Sequence, residues 1–256
     1  MSCICKQINS QSFKLSNFSH NTNKNVPLLL SIDTSTRGCS VALHQNGQLL
    51  TSYDLLAEKS SSGMLTTLIQ NAVEHAGFVL SDVDAIAVAK GPGSYTGLRI
   101  AVSTAKGLCF ALEKPLLAVN TLEAMTLQVS GFFDEETLFC PMLDARRMEV
   151  YCAVFDYDLN YIEPTQAKIM DGESFAELLR RQKIVFFGDG AAKCQPVMEA
   201  HGNAFFLPVE VHPSAKTVGQ LAVELFEKSK FEDVETFEPY YLKEFMTTVP
   251  KKTRLI

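Results

Sequence analysis

The 256-residue sequence lacks the long apolar stretch that a membrane helix requires, because no apolar run approaches roughly 18 residues. It also lacks an excess of basic residues, since the formal net charge is −6 and the pI is about 5.4. A surface of this sign repels phosphate backbones on average, so tight autonomous binding to nucleic acid is not expected. The composition is otherwise ordinary, with 46% apolar residues, which is enough for a sizeable core.

Metal and disulfide patterns are absent as well. The seven cysteines are odd in number and contain no Cys-x-x-Cys pair, and the five histidines are scattered without ligand spacing. This usage disfavours a disulfide scaffold or a zinc site and is typical of a reduced protein with buried thiols. We therefore expect a cytoplasmic protein without a metal centre and without a membrane segment.

Residues 1–26 differ from the rest of the chain. The first 25 residues contain no Asp, Glu or Arg and are rich in Ser, Asn and Lys. They have neither the apolar stretch of a secretory signal nor the arginines of a mitochondrial transit peptide. We interpret residues 1–26 as a flexible N-terminal extension and exclude them from the fold.

The following hundred residues alternate between strand and helix patterns. Asn46-Gly47 predicts a tight hairpin, because both residues tolerate positive φ. The predicted strands are Leu28–Ile32, Cys39–Gln45, Gln48–Asp54, Ala85–Ala89 and Leu116–Val119. The predicted helices are Ser60–Ala76, Thr96–Leu112 and Leu122–Val129. Three antiparallel strands followed by alternating strands and helices indicate an α/β fold, with a mixed sheet flanked by helices.

The same order then restarts. A strand at Thr137–Leu143 ends in Asp144, a second strand follows at Glu149–Phe155 and a third near Tyr161–Ile169. A helix at Ser174–Gln182, a strand at Ile184–Gly188 and a further helix are predicted next. An internal duplication predicts two similar lobes, residues 27–132 and 133–256, with Asp33 and Asp144 at the cleft between them. Chance similarity between two hairpins is the alternative.

The turn after the first strand is a candidate phosphate and metal site. Two ribonuclease-H-like lobes, each with an Asp at the end of its first strand, resemble the sugar kinase, Hsp70 and actin superfamily. In that superfamily the first turn donates N–H groups to phosphate, and carboxylates hold Mg²⁺. The phosphate turn usually contains glycine, whereas here side chains occupy it, so a merely hydrogen-bonded hairpin turn is the alternative. The candidate residues are Asp33, Thr34, Ser35, Thr36 and Asp144.

A glycine-rich loop leads directly into the second helix, with Ser94 as the expected cap. Free amides at a helix start can bind an anion, although the loop lacks the Gly-Lys-Ser/Thr ending of a P-loop. Gly97 lies in the first turn of the helix, where glycine is costly, and therefore indicates close approach of another backbone. The candidate residues of the loop are Gly91, Gly93, Ser94, Thr96, Gly97 and Arg99.

Small residues continue along one stripe of this helix, at Ile100, Thr104, Gly107 and Ala111. Such a stripe lets a second helix come very near. Packing within the chain is the ordinary interpretation, and an intermolecular helix bundle is the more specific one.

Four segments carry a resemblance to a known family. "IDTST…CSVAL", "GPGSYTGLRI…KGL", "PLLAVNTLEAM" and "LDARRMEVY" match, in order and spacing, the TsaB (YeaZ) family of tRNA threonylcarbamoyladenosine biosynthesis proteins. The match is strong over roughly residues 28–156 and thinner after residue 170. The resemblance implies the two-lobed fold and a non-catalytic role beside a paralogue, TsaD. The paralogue binds ATP and metal, and it transfers threonylcarbamoyl to adenosine 37 of tRNAs that read codons beginning with A.

The resemblance also implies the partners. A TsaB-like chain pairs with the TsaD-like paralogue through the helices at Ser60–Ala76 and Tyr95–Leu112, joins a TsaE-like ATPase, meets tRNA indirectly and forms a homodimer when alone. It has no cofactor of its own, and the resemblance leaves open whether ATP or ADP binds at the partner interface. The implied interface residues are Met64, Leu65, Leu68, Ile69, Ala72, Ile100, Ser103, Thr104, Gly107 and Ala111.

One departure from the paralogue supports the non-catalytic interpretation. The paralogue holds its metal with a His-x-x-x-His pair, and the corresponding segment here, "EKSSSGMLTTL", contains no histidine. The same absence disfavours a metallopeptidase. The alternative from another class is an ATP-dependent kinase or hydrolase of the same superfamily that uses Asp33 and Asp144.

Overall fold

The computed structural model describes residues 26–56, 61–198 and 200–243, in which the strands form two five-stranded sheets. The strands of the first sheet are β1 (Leu28–Asp33), β2 (Cys39–Gln45), β3 (Gln48–Leu55), β4 (Ala85–Gly91) and β5 (Leu116–Asn120). The accompanying helices are α1 (Ser61–His75), α2 (Tyr95–Leu112) and α3 (Thr121–Leu127). The predicted extension lies outside the described residues except for Val26, and so does Ser60 at the predicted start of α1.

The second sheet repeats the arrangement of the first. Its strands are β6 (Leu138–Asp144), β7 (Glu149–Phe155), β8 (Tyr161–Ile169), β9 (Ile184–Phe187) and β10 (Ala204–Phe206), with helices α4 (Ala176–Leu179) and α5 (Ala191–Met198). The strand orders are β3-β2-β1-β4-β5 and β10-β9-β6-β7-β8. In each sheet the first three strands are antiparallel and the last two are parallel. The predicted fold of two mixed sheets flanked by helices is confirmed.

The alternation of side chains along β1 explains how the first sheet is covered on both faces. Leu28, Leu30 and Ile32 pack in the core under α1 and α2, whereas Leu29 packs in a second core on the other face. All six residues of β1 are buried, as expected for a central strand between two helical layers. This strand therefore carries Asp33 to its end within a rigid part of the fold.

The last helix, α6 (Ala215–Glu227), returns to the first sheet, although it falls inside the predicted second lobe, residues 133–256. It packs on β1, β2, β4 and β5, where Val218 and Ala222 join the core of that face. The boundary predicted at residue 133 therefore separates the two sheets but does not describe the position of α6, which neither periodicity nor the internal repeat indicates.

The segment after α6, residues 229–243, follows the outer edge of the first sheet. The Glu232 N–H donates to the carbonyl of Leu116 in β5 (2.9 Å), and the Lys106 ammonium in α2 donates to the carbonyls of Glu235 (3.1 Å) and Phe237 (3.0 Å). The Tyr240 N–H donates to the carbonyl of Lys90 at the end of β4 (2.7 Å). This C-terminal segment covers an edge strand that would otherwise present unpaired backbone groups.

The helix predicted at Ser174–Gln182 is shorter in the structure, where α4 has four residues. Asp171 and Ser174 hydrogen-bond to each other, and Phe175 has a left-handed φ of 61°, so the chain turns instead of starting a helix at Ser174. None of the helices in the described ranges combines the length and the apolar character needed to span a membrane.

Candidate functional site

The turn after β1 is held by its own side chains. Asp33 is 2% exposed, and its Oδ1 accepts hydrogen bonds from the Ser35 N–H (2.7 Å) and the Ser35 hydroxyl (2.6 Å). The Thr34 hydroxyl donates to the carbonyl of Gly97 (2.6 Å). These bonds order the turn, and they occupy the hydroxyls that were candidates for binding a phosphate group.

The glycine loop packs directly against this turn. A Cβ at Gly93 would lie 2.3 Å from the Ser35 carbonyl oxygen, and one at Gly97 would lie 2.0 Å from the Thr34 carbonyl oxygen. The Ser94 N–H donates to the Ser35 carbonyl (2.6 Å). The close backbone approach predicted at Gly97 thus comes from the first hairpin turn of the same chain, and glycine is required there because any side chain would collide with that turn.

Ser94 caps α2, as the sequence predicts. Its side-chain oxygen accepts the Gly97 N–H (3.3 Å), and its carbonyl accepts the Leu98 N–H (2.8 Å). Thr96 and Arg99 are exposed on the first turns of the helix, and Arg99 lies over the Tyr95 ring, 5.6 Å from its centroid. Two of the N–H groups that could bind an anion, those of Ser94 and Gly97, are therefore hydrogen-bonded within the chain.

The two strand-end carboxylates differ in their electrostatics. Burial raises the pKa of Asp33 to about 6, although the bonds from Ser35 act in the opposite direction. Its Oδ2 has no hydrogen-bond partner among the described residues. The nearby Asp54 charge raises the pKa further. Asp33 is therefore costly to keep ionised in the fold.

Asp144 lies at the equivalent end of β6, with its side chain 48% exposed and ion-paired with Lys193. Burial raises its pKa, but the bond from Lys193 and the Arg146 N–H (3.0 Å) outweigh that effect and the pKa is lowered. The positive charge of Arg37 acts in the same direction, which places the first turn near the second one. Thr36, beside the exposed Arg37, is half-buried in the first turn.

The apolar stripe of α1 faces the core of this chain. Leu65, Leu68, Ile69 and Ala72 are buried there, with exposed fractions between 0% and 9%. They were included in the predicted partner interface, but their side chains are covered by the first sheet and are out of reach of another protein. Met64, which is 39% exposed, is the member of the predicted α1 set that reaches the surface.

The predicted face of α2 is more open. Ser103, Gly107 and Ala111 are exposed, and Ile100 and Thr104 are half-buried. A Cβ at Gly107 would meet no atom within 4 Å. Within the described part of the chain, the stripe is therefore open at Gly107 and Ala111, whereas Ile100 packs partly against the core.

Phe110 is a residue of this face that the sequence patterns did not single out. It is 85% exposed and lies three residues after Gly107, so both lie on one side of the helix. A phenylalanine next to a glycine on the polar side of an amphipathic helix is the signal that could have identified it. Within the described ranges, no group of three or more His, Cys, Asp or Glu residues could hold a metal ion.

Comparison with known proteins extends these observations. The family model of TsaD, the tRNA N6-adenosine threonylcarbamoyltransferase, matches residues 55–245. The tRNA threonylcarbamoyladenosine biosynthesis protein TsaB of Escherichia coli K12 is 31% identical over 84% of this chain and 94% of its own length. TsaB of Bacillus subtilis 168 is 28% identical over 84% of this chain and 93% of its own length.

Solved structures agree with the sequence relatives. YeaZ from Pseudomonas aeruginosa is 26% identical and superposes with a TM-score of 0.70, covering 84% of this chain and 100% of that one. A second structure from that organism, described as an uncharacterized protein with similarity to peptidase YEAZ, is 27% identical with a TM-score of 0.74, and covers 85% of this chain and 100% of that one. Together with the two lobes and the glycine loop packed on the first turn, these similarities show that the chain belongs to the TsaB (YeaZ) family of tRNA threonylcarbamoyladenosine biosynthesis proteins.

Proposed function

We propose that the chain is the non-catalytic partner subunit of a TsaD-like threonylcarbamoyl transferase. In this role it supports the formation of threonylcarbamoyladenosine at position 37 of tRNAs that read codons beginning with A. The TsaE-like ATPase joins the same assembly, and tRNA meets this subunit through the assembly and not through a site of its own.

The observation that carries the proposal is the open face of α2. Phe110, at 85% exposed, stands beside Gly107, Ser103 and Ala111, which present almost no side chain. The separation of packed helices depends on the side chains at their contact, so this stripe admits a partner helix at short distance. A large aromatic residue next to such a groove is a typical anchor of a protein–protein interface.

The first hairpin supports a role without catalysis. Asp33 is buried and bonded to Ser35, while Thr34 and Ser35 contact the glycine loop through their carbonyls. A phosphate-binding turn needs free N–H groups and a solvent-facing carboxylate beside them. The proposal therefore assigns no cofactor to the turns at Asp33 and Asp144, and it leaves open whether ATP or ADP binds at the interface with the partner.

The same face also accounts for a homodimer when the partner is absent. An exposed apolar anchor favours burial, and a second copy of the chain offers the same surface in a two-fold arrangement. The heterodimer and the homodimer then compete for α2, so excess partner is expected to dissociate the homodimer.

The proposal is tested by depleting the chain in its own cell and measuring threonylcarbamoyladenosine in digested tRNA by mass spectrometry. Loss of the modified nucleoside, with recovery from a plasmid-borne copy, is the expected result. Normal levels after depletion would contradict the proposal. In the same study, hydrolysis of ATP by the isolated chain that is lost in Asp33→Asn would favour the kinase or hydrolase alternative.

A further inference from the structure

The described residues enclose a cleft of about 1030 Å³ that lies away from both hairpin turns. It is bounded by α6, by the end of β5, by the start of β8 and by the C-terminal segment. Ala118 and Val119 of β5, with Leu221 and Leu225 of α6, form an apolar part of its lining, and charged side chains such as Lys90, Glu123 and Glu224 form much of the rest. A concave site of this size that combines apolar walls with a few placed polar groups is the usual form of a small-molecule site. We call it the α6–β8 cleft.

Two tyrosines from different elements contribute rings to this cleft. Tyr161 begins β8 and is 46% exposed, and Tyr240 belongs to the C-terminal segment and is 40% exposed. Tyr161 is fixed by a ring contact with Phe155, with centroids 4.6 Å apart, and Tyr240 by its backbone bond to Lys90. The Tyr161 ring is therefore held in place, the backbone of Tyr240 is anchored, and part of each ring stays exposed for stacking.

An opposite-charge pair lies in the same cleft. Glu123, in the first turn of α3, is half-buried, and the hydroxyl of Tyr161 lies 3.5 Å from its Oε2. Lys90, at the end of β4, is also half-buried and forms no ion pair or side-chain hydrogen bond with the residues that the structure describes. Burial raises the pKa of Glu123, and the charge of Lys90 partly opposes that effect, so the two groups are near each other.

The chemistry of these groups defines a ligand class. The carboxylate of Glu123 already accepts the Tyr161 hydroxyl at 3.5 Å and has lone pairs for a further donor, and the ammonium of Lys90 needs an acceptor. Tyr161 and Tyr240 favour a flat aromatic ring. From this combination we propose that the α6–β8 cleft binds an adenine base, with the 6-amino group donating to Glu123 and an adjacent ring nitrogen accepting from Lys90.

Adenine suits these groups because its amino group stands beside ring acceptors on one edge. The α6 wall of the cleft lies on the opposite face of the first sheet from α1, and its C-terminal wall reaches the start of α2, where the ring of Tyr241 lies 4.7 Å from that of Tyr95. The exposed α2 residues Ser103, Gly107, Phe110 and Ala111 do not line it. It can therefore be occupied in the isolated chain. Its existence does not depend on the partner-subunit role, and each can fail without the other.

The test is isothermal titration of the purified full chain with adenosine and with purine riboside, which lacks only the 6-amino group. Adenosine is expected to bind, and purine riboside at least about tenfold more weakly, because a hydrogen bond to a charged group is lost and Glu123 keeps only the long bond from Tyr161. Parallel titrations with AMP and with a short single-stranded oligoadenylate distinguish a free nucleotide from an adenosine within RNA.

Matched variants locate the binding. Glu123→Met is expected to weaken adenosine binding at least about tenfold. Glu224→Met, the same change at a cleft residue already paired with Lys228, should leave it within about twofold. Lys90→Met provides a second test if melting shows that Glu123→Met is unfolded. Absence of adenosine binding, equal binding of purine riboside, or equal losses in the two glutamate variants would each overturn the proposal.

Discussion

Replacing Asp33 with asparagine is expected to change the pH dependence of stability in a way that a surface carboxylate does not. Burial raises the pKa of Asp33 from 3.8 to about 6. The folded chain therefore holds a proton that the unfolded chain releases between about pH 4 and pH 6. The stabilisation that this proton gives to the folded state is complete below about pH 4 and is lost as the pH rises through about 6. At neutral pH the folded state no longer has it.

The magnitude follows from the two values. The difference between 3.8 and about 6 corresponds to about 3 kcal/mol of unfolding free energy at neutral pH. The substituted asparagine would keep both hydrogen bonds from Ser35, because its Oδ1 can accept them, but its amide N–H groups would replace an Oδ2 that has no partner. A buried unpaired donor costs about 1–2 kcal/mol. Asp33→Asn should thus be more stable than wild type by about 1–2 kcal/mol at pH 7.5 and less stable by about 1 kcal/mol near pH 4.

Urea denaturation followed by circular dichroism, at half-unit steps from pH 4 to pH 8, measures this difference. Asp158→Asn is the matched control, because Asp158 is exposed in the turn between β7 and β8. Its curve is expected to run parallel to that of wild type. If the curve of Asp33→Asn is also parallel to wild type over the whole range, the buried and costly carboxylate inferred for Asp33 is refuted.

Three further substitutions test α2. Phe110→Ser is expected to weaken binding to the TsaD-like paralogue by about 30-fold or more in a calorimetric titration. The melting temperature of the isolated chain should change little, because Phe110 contacts solvent. An unchanged affinity would remove Phe110 from the interface. Gly97→Ala should destabilise the chain by more than about 2 kcal/mol, because its Cβ would lie 2.0 Å from the Thr34 carbonyl oxygen. Gly107→Ala should stabilise the chain by up to about 1 kcal/mol, because its Cβ would meet no atom within 4 Å. Equal effects of the two substitutions in urea denaturation would contradict the packing described for α2.

Much of the first sheet is readable from local patterns. Asn46-Gly47 at the hairpin and the Ser94 cap are short-range signals, and the elements that they predict are present. The repeat of a strand that ends in Asp also predicts the second sheet correctly. These features depend on neighbouring residues, so one sequence is sufficient for them.

Local patterns did not predict that α6 packs on the first sheet or that the apolar side of α1 faces the core and not a partner. The contact between α6 and β1 joins segments almost two hundred residues apart, and no local pattern encodes such a pairing. In α1, the apolar stripe is the side of the helix that packs on the core. Leu65 and Ile69 are therefore buried, although the sequence analysis assigned them to a partner surface. On α2 the proposed docking face is marked only by a glycine and one exposed phenylalanine, which is a weaker signal than hydrophobic periodicity.

The central claim is that the open face of α2 docks on the TsaD-like paralogue, and one binding measurement tests it directly. Gly107→Arg and Gly202→Arg place the same side chain at two glycines where a Cβ would meet no atom within 4 Å, one on the α2 face and one on the second lobe. A large charge at a helix contact blocks close approach and loses its hydration. In sedimentation velocity with the paralogue, Gly202→Arg is expected to form the heterodimer as wild type does and Gly107→Arg to sediment as a folded, separate monomer. A heterodimer of wild-type affinity with Gly107→Arg would contradict the claim.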